Sequence, residues 1–140
     1  MAESTNNNDA KRPGIITILA VLFILFGLAA LFGSLFLWGE GFILNFPEGI
    51  DLGLPAADIL INAPASILTA IGLWGMCRWG KYMAWFTAGF YLYASVEIFA
   101  HYAQLGELSK MEITLPQTVA VIMAILVMII SWKHRESFTN

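Results

Sequence analysis

Four long apolar segments constrain this chain more than any other feature of its sequence. They cover residues 15–38, 56–77, 82–102 and 115–132 of the 140-residue chain, and no stretch outside them is longer than 17 residues. A helix needs about 20 mostly apolar residues to cross the hydrocarbon core of a bilayer. Only 12% of the residues are charged, against roughly 25% in ordinary globular chains. The sequence therefore predicts an all-α fold, a transmembrane four-helix bundle with antiparallel neighbours.

The segments outside the four spans are too short for a second folded domain. Residues 1–13 start with a polar, low-complexity stretch that cannot bury enough apolar surface to fold. We expect a disordered N-terminal tail there, a bundle over residues 14–132 and a short C-terminal tail over residues 133–140. No soluble catalytic domain fits, so any activity is expected within the bundle or on its loops.

The first apolar segment resembles a secretory signal peptide at its start, where Lys11 and Arg12 precede it. The apolar run that follows is about 24 residues long, whereas the apolar region of a signal peptide has about 7–15. Its end also lacks a clean small-x-small cleavage site. We therefore interpret the segment as a retained first span.

The lysines and arginines are distributed unevenly around the four segments. Six of the seven would lie on one side of the membrane: Lys11, Arg12, Arg78, Lys81, Lys133 and Arg135. Lys110, between the third and fourth segments, would lie on the other side. Because positive charges near the ends of spans are enriched in the cytoplasm, both termini are predicted to be cytoplasmic.

Small residues recur at four-residue spacing in the first two segments. The spacings are Ala29-x-x-x-Gly33, Ala30-x-x-x-Ser34 and Ala65-x-x-x-Thr69. Because lipid is as apolar as leucine, membrane helices associate through close packing of such small faces and through polar contacts. These faces are expected to form helix–helix contacts within the bundle or, alternatively, between copies of the chain.

Polar side chains interrupt the apolar segments near the non-cytoplasmic side. Glu97 and His101 are four residues apart and therefore share one face of the third helix. The antiparallel topology brings the starts of the second and fourth helices to the same level. Five side chains are expected to meet in this layer, with Tyr93 and Ser95 nearby: Asp58, Asn62, Glu97, His101 and Gln117. A carboxylate at the bilayer centre costs about 2.5–3.5 kcal/mol, so Glu97 is the hardest of them to explain structurally.

Each of these side chains also has a structural explanation. The carboxylate of Asp58 would lie in the first turn of a helix, where the macrodipole favours negative charge. Gln117 completes a capping box with Thr114. His101 could be an interfacial residue that contacts water, and a pair with His101 could make Glu97 tolerable near the helix end.

Pro64 lies inside the second segment. It removes one helical hydrogen bond and leaves the carbonyl of Leu60 without its usual donor. Asn62 and Ser66 are near enough to satisfy the backbone or to bridge it through water. The expected kink coincides with polar residues at helical spacing: Asp58, Asn62, Ser66 and Thr69. A purely structural helix does not require this much polarity.

Three chemistries are open to the polar cluster. Two carboxylates and an imidazole, from Asp58, Glu97 and His101, could hold a divalent metal. A carboxylate beside an imidazole could instead carry protons. The cluster could also belong to a pocket for a lipid or a quinone, lined by aromatic residues: Phe90, Tyr91, Tyr93 and Phe99. The residues do not decide between the three, and no cofactor is predicted.

Other functional classes are not indicated by the sequence. The single cysteine, Cys77, excludes an internal disulfide and a cysteine-clustered metal site. Its thiol is either acylated at the membrane surface or buried and inert. The chain has no basic patch with interleaved aromatic residues, which argues against binding to nucleic acid.

Two stretches, RPGIITILAVLFILFGL and GLWGMCRWGKYMAWFTAGFYL, resemble small uncharacterised four-span membrane proteins of bacteria and archaea. Those proteins often open with Arg-Pro-x-Gly-Ile, contracted here to Arg12-Pro13-Gly14-Ile15, and carry Gly-Leu-Trp before a turn of Arg, Trp and Gly. The resemblance implies a prokaryotic inner-membrane protein. It implies no activity and no site residues.

We expect this small polytopic membrane protein to act by association, with itself or as an accessory subunit of a larger membrane complex. The small-residue faces and the lack of room for a catalytic domain favour that function. The alternative is a transporter-like bundle, or one that binds a lipid, quinone or metal, with an outer-leaflet pocket formed by the five polar residues. A membrane enzyme is the third hypothesis.

Overall fold

The computed structural model describes residues 12–39 and 53–139 of the chain. Its long helices are α1 (Gly14–Gly39), α4 (Arg78–Gln104) and α5 (Met111–Lys133). Between α1 and α4 lie α2 (Gly53–Ala57), a π-helical turn (Asp58–Asn62) and α3 (Ala63–Trp74), which follow one another without a break. The described residues contain no strand, which confirms the predicted all-α fold class. Most of the predicted disordered tail lies outside the described residues.

Three helical stretches are long and apolar enough to cross a membrane: Gly14–Phe36, Pro55–Trp74 and Thr114–Lys133. Large apolar side chains cover their outer surfaces, as shown by Phe36, which is 66% exposed, and Ile129, which is 59% exposed. Continuous apolar surface of this kind is unusual in a soluble monomer. The helices therefore have the length and surface of a membrane-embedded protein. The α4 helix has 27 residues, but its tyrosine, tryptophan and charged side chains give it a lower mean hydropathy than α1, α3 and α5.

Hydrogen bonds between buried hydroxyl groups fix the register of α3 against α4. The Oγ1 atoms of Thr69 and Thr87 lie 2.8 Å apart. One turn further along, the Ser66 Oγ lies 2.8 Å from the Tyr91 hydroxyl. Because the residue number falls in α3 as it rises in α4, the two helices run antiparallel.

The same antiparallel arrangement continues from α4 to α5. The indole N–H of Trp85 donates to the Ser131 Oγ at 2.8 Å near one end of the pair. Near the other end, the Ser95 Oγ donates to the side-chain oxygen of Gln117 at 3.3 Å. The α4 helix therefore lies between α3 and α5.

The apolar core lies between all of these helices and contains side chains from α1, α3, α4 and α5. Its largest fully buried members are Phe23, Ile16, Leu73 and Val127. The ring of Phe23 stacks on Tyr91 with a centroid distance of 5.8 Å. Tyr91 thus joins the apolar core on one side to the hydroxyl of Ser66 on the other.

A three-residue turn connects α3 to α4. Met76 adopts the left-handed conformation, with φ of 50°, and the Cys77 N–H donates to the Gly72 carbonyl at 2.9 Å. This is a Schellman ending, in which the left-handed position is usually glycine. Such a tight turn places the start of α4 directly beside the end of α3.

One end of the bundle carries most of the described positive charge, and we call it the basic end. The start of α1, the α3–α4 turn and the end of α5 bring together Arg12, Arg78, Lys81, Lys133 and Arg135. The Arg12 guanidinium donates to the Trp74 carbonyl oxygen at 2.7 Å and lies 4.0 Å from the centre of the Trp74 ring. Arg12 thereby ties the start of α1 to the end of α3.

Candidate functional site

A widened helical turn lies at the centre of the candidate site. In the π-helical segment Asp58–Asn62, the backbone N–H of Ala63 donates to the Asp58 carbonyl, five residues earlier. Pro64 follows directly, and its ring would clash in a regular helix with the carbonyl of Leu60. The wider turn relieves that clash, so the predicted disturbance around Pro64 takes the form of a π-bulge. Bulges of this kind occur frequently at functional sites.

A chain of hydrogen-bonded side chains leads from this turn into the bundle. We call it the polar ladder; its members are Ser34, Asp58, Asn62, Ser66 and Tyr91. The Asn62 amide donates to one carboxylate oxygen of Asp58 at 2.8 Å, and Ser34 donates to the other at 3.4 Å. Ser66 donates to the Asn62 side-chain oxygen at 3.1 Å, and its Oγ also shares a hydrogen bond with the Tyr91 hydroxyl at 2.8 Å. The ladder therefore connects α1, the π-helical turn, α3 and α4.

The polar ladder is held in a well-packed environment. Ser66 is fully buried, and Tyr91 and Ser34 are only 4% and 5% exposed. Among the described residues, no buried side-chain nitrogen or oxygen lacks a hydrogen-bond partner. Because an unpaired polar group in an apolar interior costs several kilocalories per mole, this pairing is what allows the ladder to exist in a membrane-embedded bundle.

A cavity of about 220 Å³ adjoins the ladder in the half of the bundle away from the basic end. Its lining comes from α1, the π-helical turn, α4 and α5: Phe26, Ala29, Ala30, Asp58, Asn62, Tyr91, Ala94, Ser95, Ile98, Pro116, Gln117 and Ala120. The cavity is open because the alanine side chains that three of the helices contribute are small. Four polar side chains also line it: Asp58, Asn62, Ser95 and Gln117. We call this space the Asp58 cavity.

The Asp58 carboxylate gives the cavity a strong hydrogen-bond acceptor. Asp58 contributes the one carboxylate of the lining, and its two oxygens each accept one hydrogen bond from the protein. A carboxylate has about four lone-pair sites, so acceptor capacity remains on both oxygens. The Gln117 side-chain oxygen lies on the opposite wall, where it accepts from Ser95. A bound group that donates hydrogen bonds would therefore be favoured between these walls.

Three of the five predicted site residues, Asp58, Asn62 and Gln117, line this one cavity. Glu97 and His101 do not. Glu97 is exposed on the outer surface of α4 and accepts a hydrogen bond from the Tyr93 hydroxyl at 3.3 Å. The physical reason is helical periodicity: the buried face of α4 includes Ser95, and two residues further along, the side chain points about 200° away.

His101 is half-buried near the end of α4, where its ring packs edge-on against Tyr102 at a centroid distance of 5.4 Å. Within the described part of the chain, no hydrogen bond or ion pair joins Glu97 to His101. No three histidine, cysteine, aspartate or glutamate side chains converge among the described residues. The proposed metal ligands Glu97, His101 and Asp58 are therefore not assembled into a ligand set.

The capping-box explanation of Gln117 is wrong. The α5 helix begins at Met111, and Thr114 donates its hydroxyl to the Lys110 carbonyl at 3.1 Å. Gln117 therefore lies well inside the helix, and its side-chain oxygen accepts from Ser95 instead. Its position favours a role in the lining of the cavity over a role at the start of the helix.

Two members of the site, Ser34 and Ser66, were not identified from the sequence as site residues, whereas Tyr91 was expected in the aromatic lining of a pocket and does line the cavity. Ser34 belongs to the small-residue spacing of the first segment, and Ser66 continues the four-residue spacing of Asp58 and Asn62. Both signals were present, but each fits helix packing equally well. Comparison of the chain with models of known protein families, with curated protein sequences and with solved structures returned no match.

Proposed function

We propose that this protein is a four-span integral membrane protein that binds a small hydrogen-bond-donating ligand in the Asp58 cavity. The observation that carries the proposal is the polar ladder, which holds a carboxylate at the wall of a cavity inside an apolar bundle. Ionisable groups in such surroundings are costly and commonly mark a functional pathway or site.

The packing of α4 supports a fourth span. This helix has 27 residues, about 40 Å at the usual rise per residue, which exceeds the roughly 30 Å of a bilayer core. Its hydrogen bonds to α3 and α5 lie between Trp85 and Ser95, in the middle of the helix, and its backbone meets that of α3 again at Gly80. A helix packed lengthwise between two apolar spans is expected to cross the same layer.

The distribution of charge supports an orientation with both termini in the cytoplasm. Five lysine and arginine side chains lie at the basic end, whereas Lys110 lies at the other end beside Glu107. Positive charges near span ends favour the cytoplasmic side. The Asp58 cavity would then lie in the outer half of the bilayer. The resemblance to bacterial and archaeal proteins favours the inner membrane of a prokaryote.

The size and polarity of the cavity restrict the ligand. At about 220 Å³, it is smaller than the roughly 300–1,000 Å³ pockets that hold drug-sized ligands. Its lining combines the Asp58 carboxylate with aromatic and aliphatic surface from Phe26, Tyr91 and Ile98. This combination suits a compact organic cation or alcohol, whose donor group would face Asp58. It suits a quinone less well, because carbonyl oxygens would face carboxylate oxygens.

Native mass spectrometry of the protein in mild detergent tests the proposal. The wild type is expected to retain a low-mass adduct that survives purification. Asp58→Asn keeps the shape of the side chain but removes its charge and one acceptor, so the adduct should fall by about tenfold or more. Glu97→Gln makes the same chemical change on the exposed face of α4 and should leave the adduct unchanged.

Two results would count against a ligand at Asp58. One is an equal amount of adduct in Asp58→Asn and wild type. The other is loss of the adduct in Glu97→Gln, which would place the ligand on the outer surface of α4. Melting temperatures of both variants, measured in the same detergent, would show whether each remains folded.

A second candidate function is association with another copy of the chain. Gly33 lies on the exposed side of α1, where an added Cβ atom would meet no atom within 4 Å. Exposed Phe32 and Phe36 flank it, and a small residue between large ones allows two helices to approach closely. Gly33→Leu should then lower the dimer fraction in detergent. Gly89→Leu adds the same bulk at another open position and should not.

A further inference from the structure

A second polar cavity lies at the basic end of the bundle, far from the Asp58 cavity. It has a volume of about 380 Å³ and lies between the start of α4 and the C-terminal segment that follows α5. Arg78, Lys81 and Arg135 line it, together with Glu136. Three cations against one carboxylate leave a net charge of +2 at its wall.

The C-terminal segment is folded back to close this cavity. A short 3₁₀ turn, Arg135–Ser137, follows α5, and Phe138 is then only 3% exposed and packs in the apolar core. Because Phe138 anchors the segment, Arg135 is held opposite the first turn of α4. The cations therefore belong to a formed concave site and not to a freely moving tail.

Two independent features of this site favour an anion. The first is the set of cations: two of the three are arginines, whose guanidinium groups suit phosphate oxygens. Arg78 makes no hydrogen bond, ion pair or ring contact within the described residues, and Glu136 approaches Arg135 only at 3.7 Å. The second feature is the fold of the C-terminal segment, in which buried Phe138 keeps Arg135 on the cavity wall together with Arg78 and Lys81.

We infer that this cavity, the basic-end cavity, binds the phosphate of an anionic phospholipid headgroup. Aromatic side chains beside the cavity favour a lipid over a soluble phosphate. Tyr82 lines it and is 68% exposed, and Trp132, which lies under Arg135, is 57% exposed. Amphipathic rings of this kind favour the headgroup level of a membrane. Basic pockets between spans on the cytoplasmic side are known to hold such headgroups.

The inference rests on the membrane placement of the bundle but not on the Asp58 cavity. Native mass spectrometry can compare phosphatidylglycerol with phosphatidylcholine of the same acyl chains. The wild type should bind phosphatidylglycerol at least about tenfold more tightly, since each nearby Lys or Arg contributes about 1 kcal/mol toward an anionic lipid. Arg78→Gln and Arg135→Gln should each weaken that binding about fivefold. Arg78→Lys should retain most of it.

Lys133→Gln is the matched control, because Lys133 lies at the same end of the bundle without lining the cavity. It should change the binding of phosphatidylglycerol less than about twofold. Equal binding of the two lipids would overturn the inference, as would an equal effect of Lys133→Gln and Arg78→Gln. Displacement of phosphatidylglycerol by millimolar inorganic phosphate would overturn the assignment to a lipid. The Asp58→Asn variant should bind phosphatidylglycerol normally, which separates this site from the proposed function.

Discussion

Gly72 of α3 and Gly80 of α4 are in direct backbone contact, so that a Cβ atom on either residue would overlap backbone atoms of the other. This contact sets the distance between the two helices at the basic end. It lies directly beside the α3–α4 turn, where the chain reverses in three residues. Close approach of this kind is available only to glycine.

Gly72→Ala and Gly80→Ala are therefore expected to destabilise the bundle. Overpacking at a tight contact costs typically 1–3 kcal/mol, because the backbones must move apart. Thermal unfolding in detergent would show the effect as a lower melting temperature. Gly89→Ala, at a helical position with open space, should be neutral or slightly stabilising. If Gly72→Ala unfolded at the same temperature as Gly89→Ala, the close contact would not exist.

The hydrogen bond between Ser66 and Tyr91 should contribute to stability as a pair. A double-mutant cycle of Ser66→Ala and Tyr91→Phe is expected to give a coupling energy of about 0.6 kcal/mol, the mean for polar pairs between membrane helices. Denaturant unfolding in mixed micelles would provide the four free energies. Tyr93→Phe removes an equivalent hydroxyl from the exposed side of α4 and should show no coupling with Ser66→Ala. A coupling energy of zero between Ser66 and Tyr91 would mean that their hydrogen bond, the innermost one of the polar ladder, does not contribute to stability.

Arg12 should stabilise the junction between α1 and α3. Arg12→Gln removes the charged hydrogen bond to the Trp74 carbonyl and the contact with its ring. The expected loss is about 1 kcal/mol, from the helix C-terminus and the cation–π contact together. Arg78→Gln removes the same charge from a residue without such contacts and should leave the melting temperature nearly unchanged. Equal losses of stability in Arg12→Gln and Arg78→Gln would indicate a general effect of positive charge and not a specific contact of Arg12.

The proposed topology can be tested by labelling single cysteines. In a Cys77→Ser background, Ser109→Cys and Arg78→Cys place one thiol at each end of α4. In intact cells stripped of any outer envelope, a membrane-impermeant maleimide should label the first variant directly and the second only after lysis. Labelling of both variants from the same side would mean that α4 does not cross the membrane. Labelling of Arg78→Cys alone would mean that the orientation is reversed.

The fold class could be predicted because apolar length alone determines it. A run of about 20 apolar residues has few alternatives to a helix when no water is available to its backbone. The π-helical turn was harder to predict, because Pro64 indicates that the helix is disturbed without specifying the form of the disturbance. The backbone contact between Gly72 and Gly80 could not be predicted either, since an isolated glycine occurs in helices for many reasons.

The candidate site could be predicted only in part. Asp58 and Asn62 are four residues apart, and this spacing places them on one face of the helix whatever its surroundings. The same spacing links Glu97 to His101, but it fixes only their relative direction. Which face of α4 points inward depends on packing against α3 and α5, through contacts such as Ser95 with Gln117. Rotation of a helix about its own axis is a tertiary property that spacing within that helix does not determine.

A crystal structure of the purified protein in a lipidic mesophase is the decisive test for a ligand in the Asp58 cavity, because it shows what lies between Asp58 and Gln117. We expect an ordered non-protein molecule with a donor atom within about 3.2 Å of an Asp58 carboxylate oxygen. Side chains that fill this space completely, or an Asp58 carboxylate turned outward from the bundle, would contradict a ligand site at Asp58.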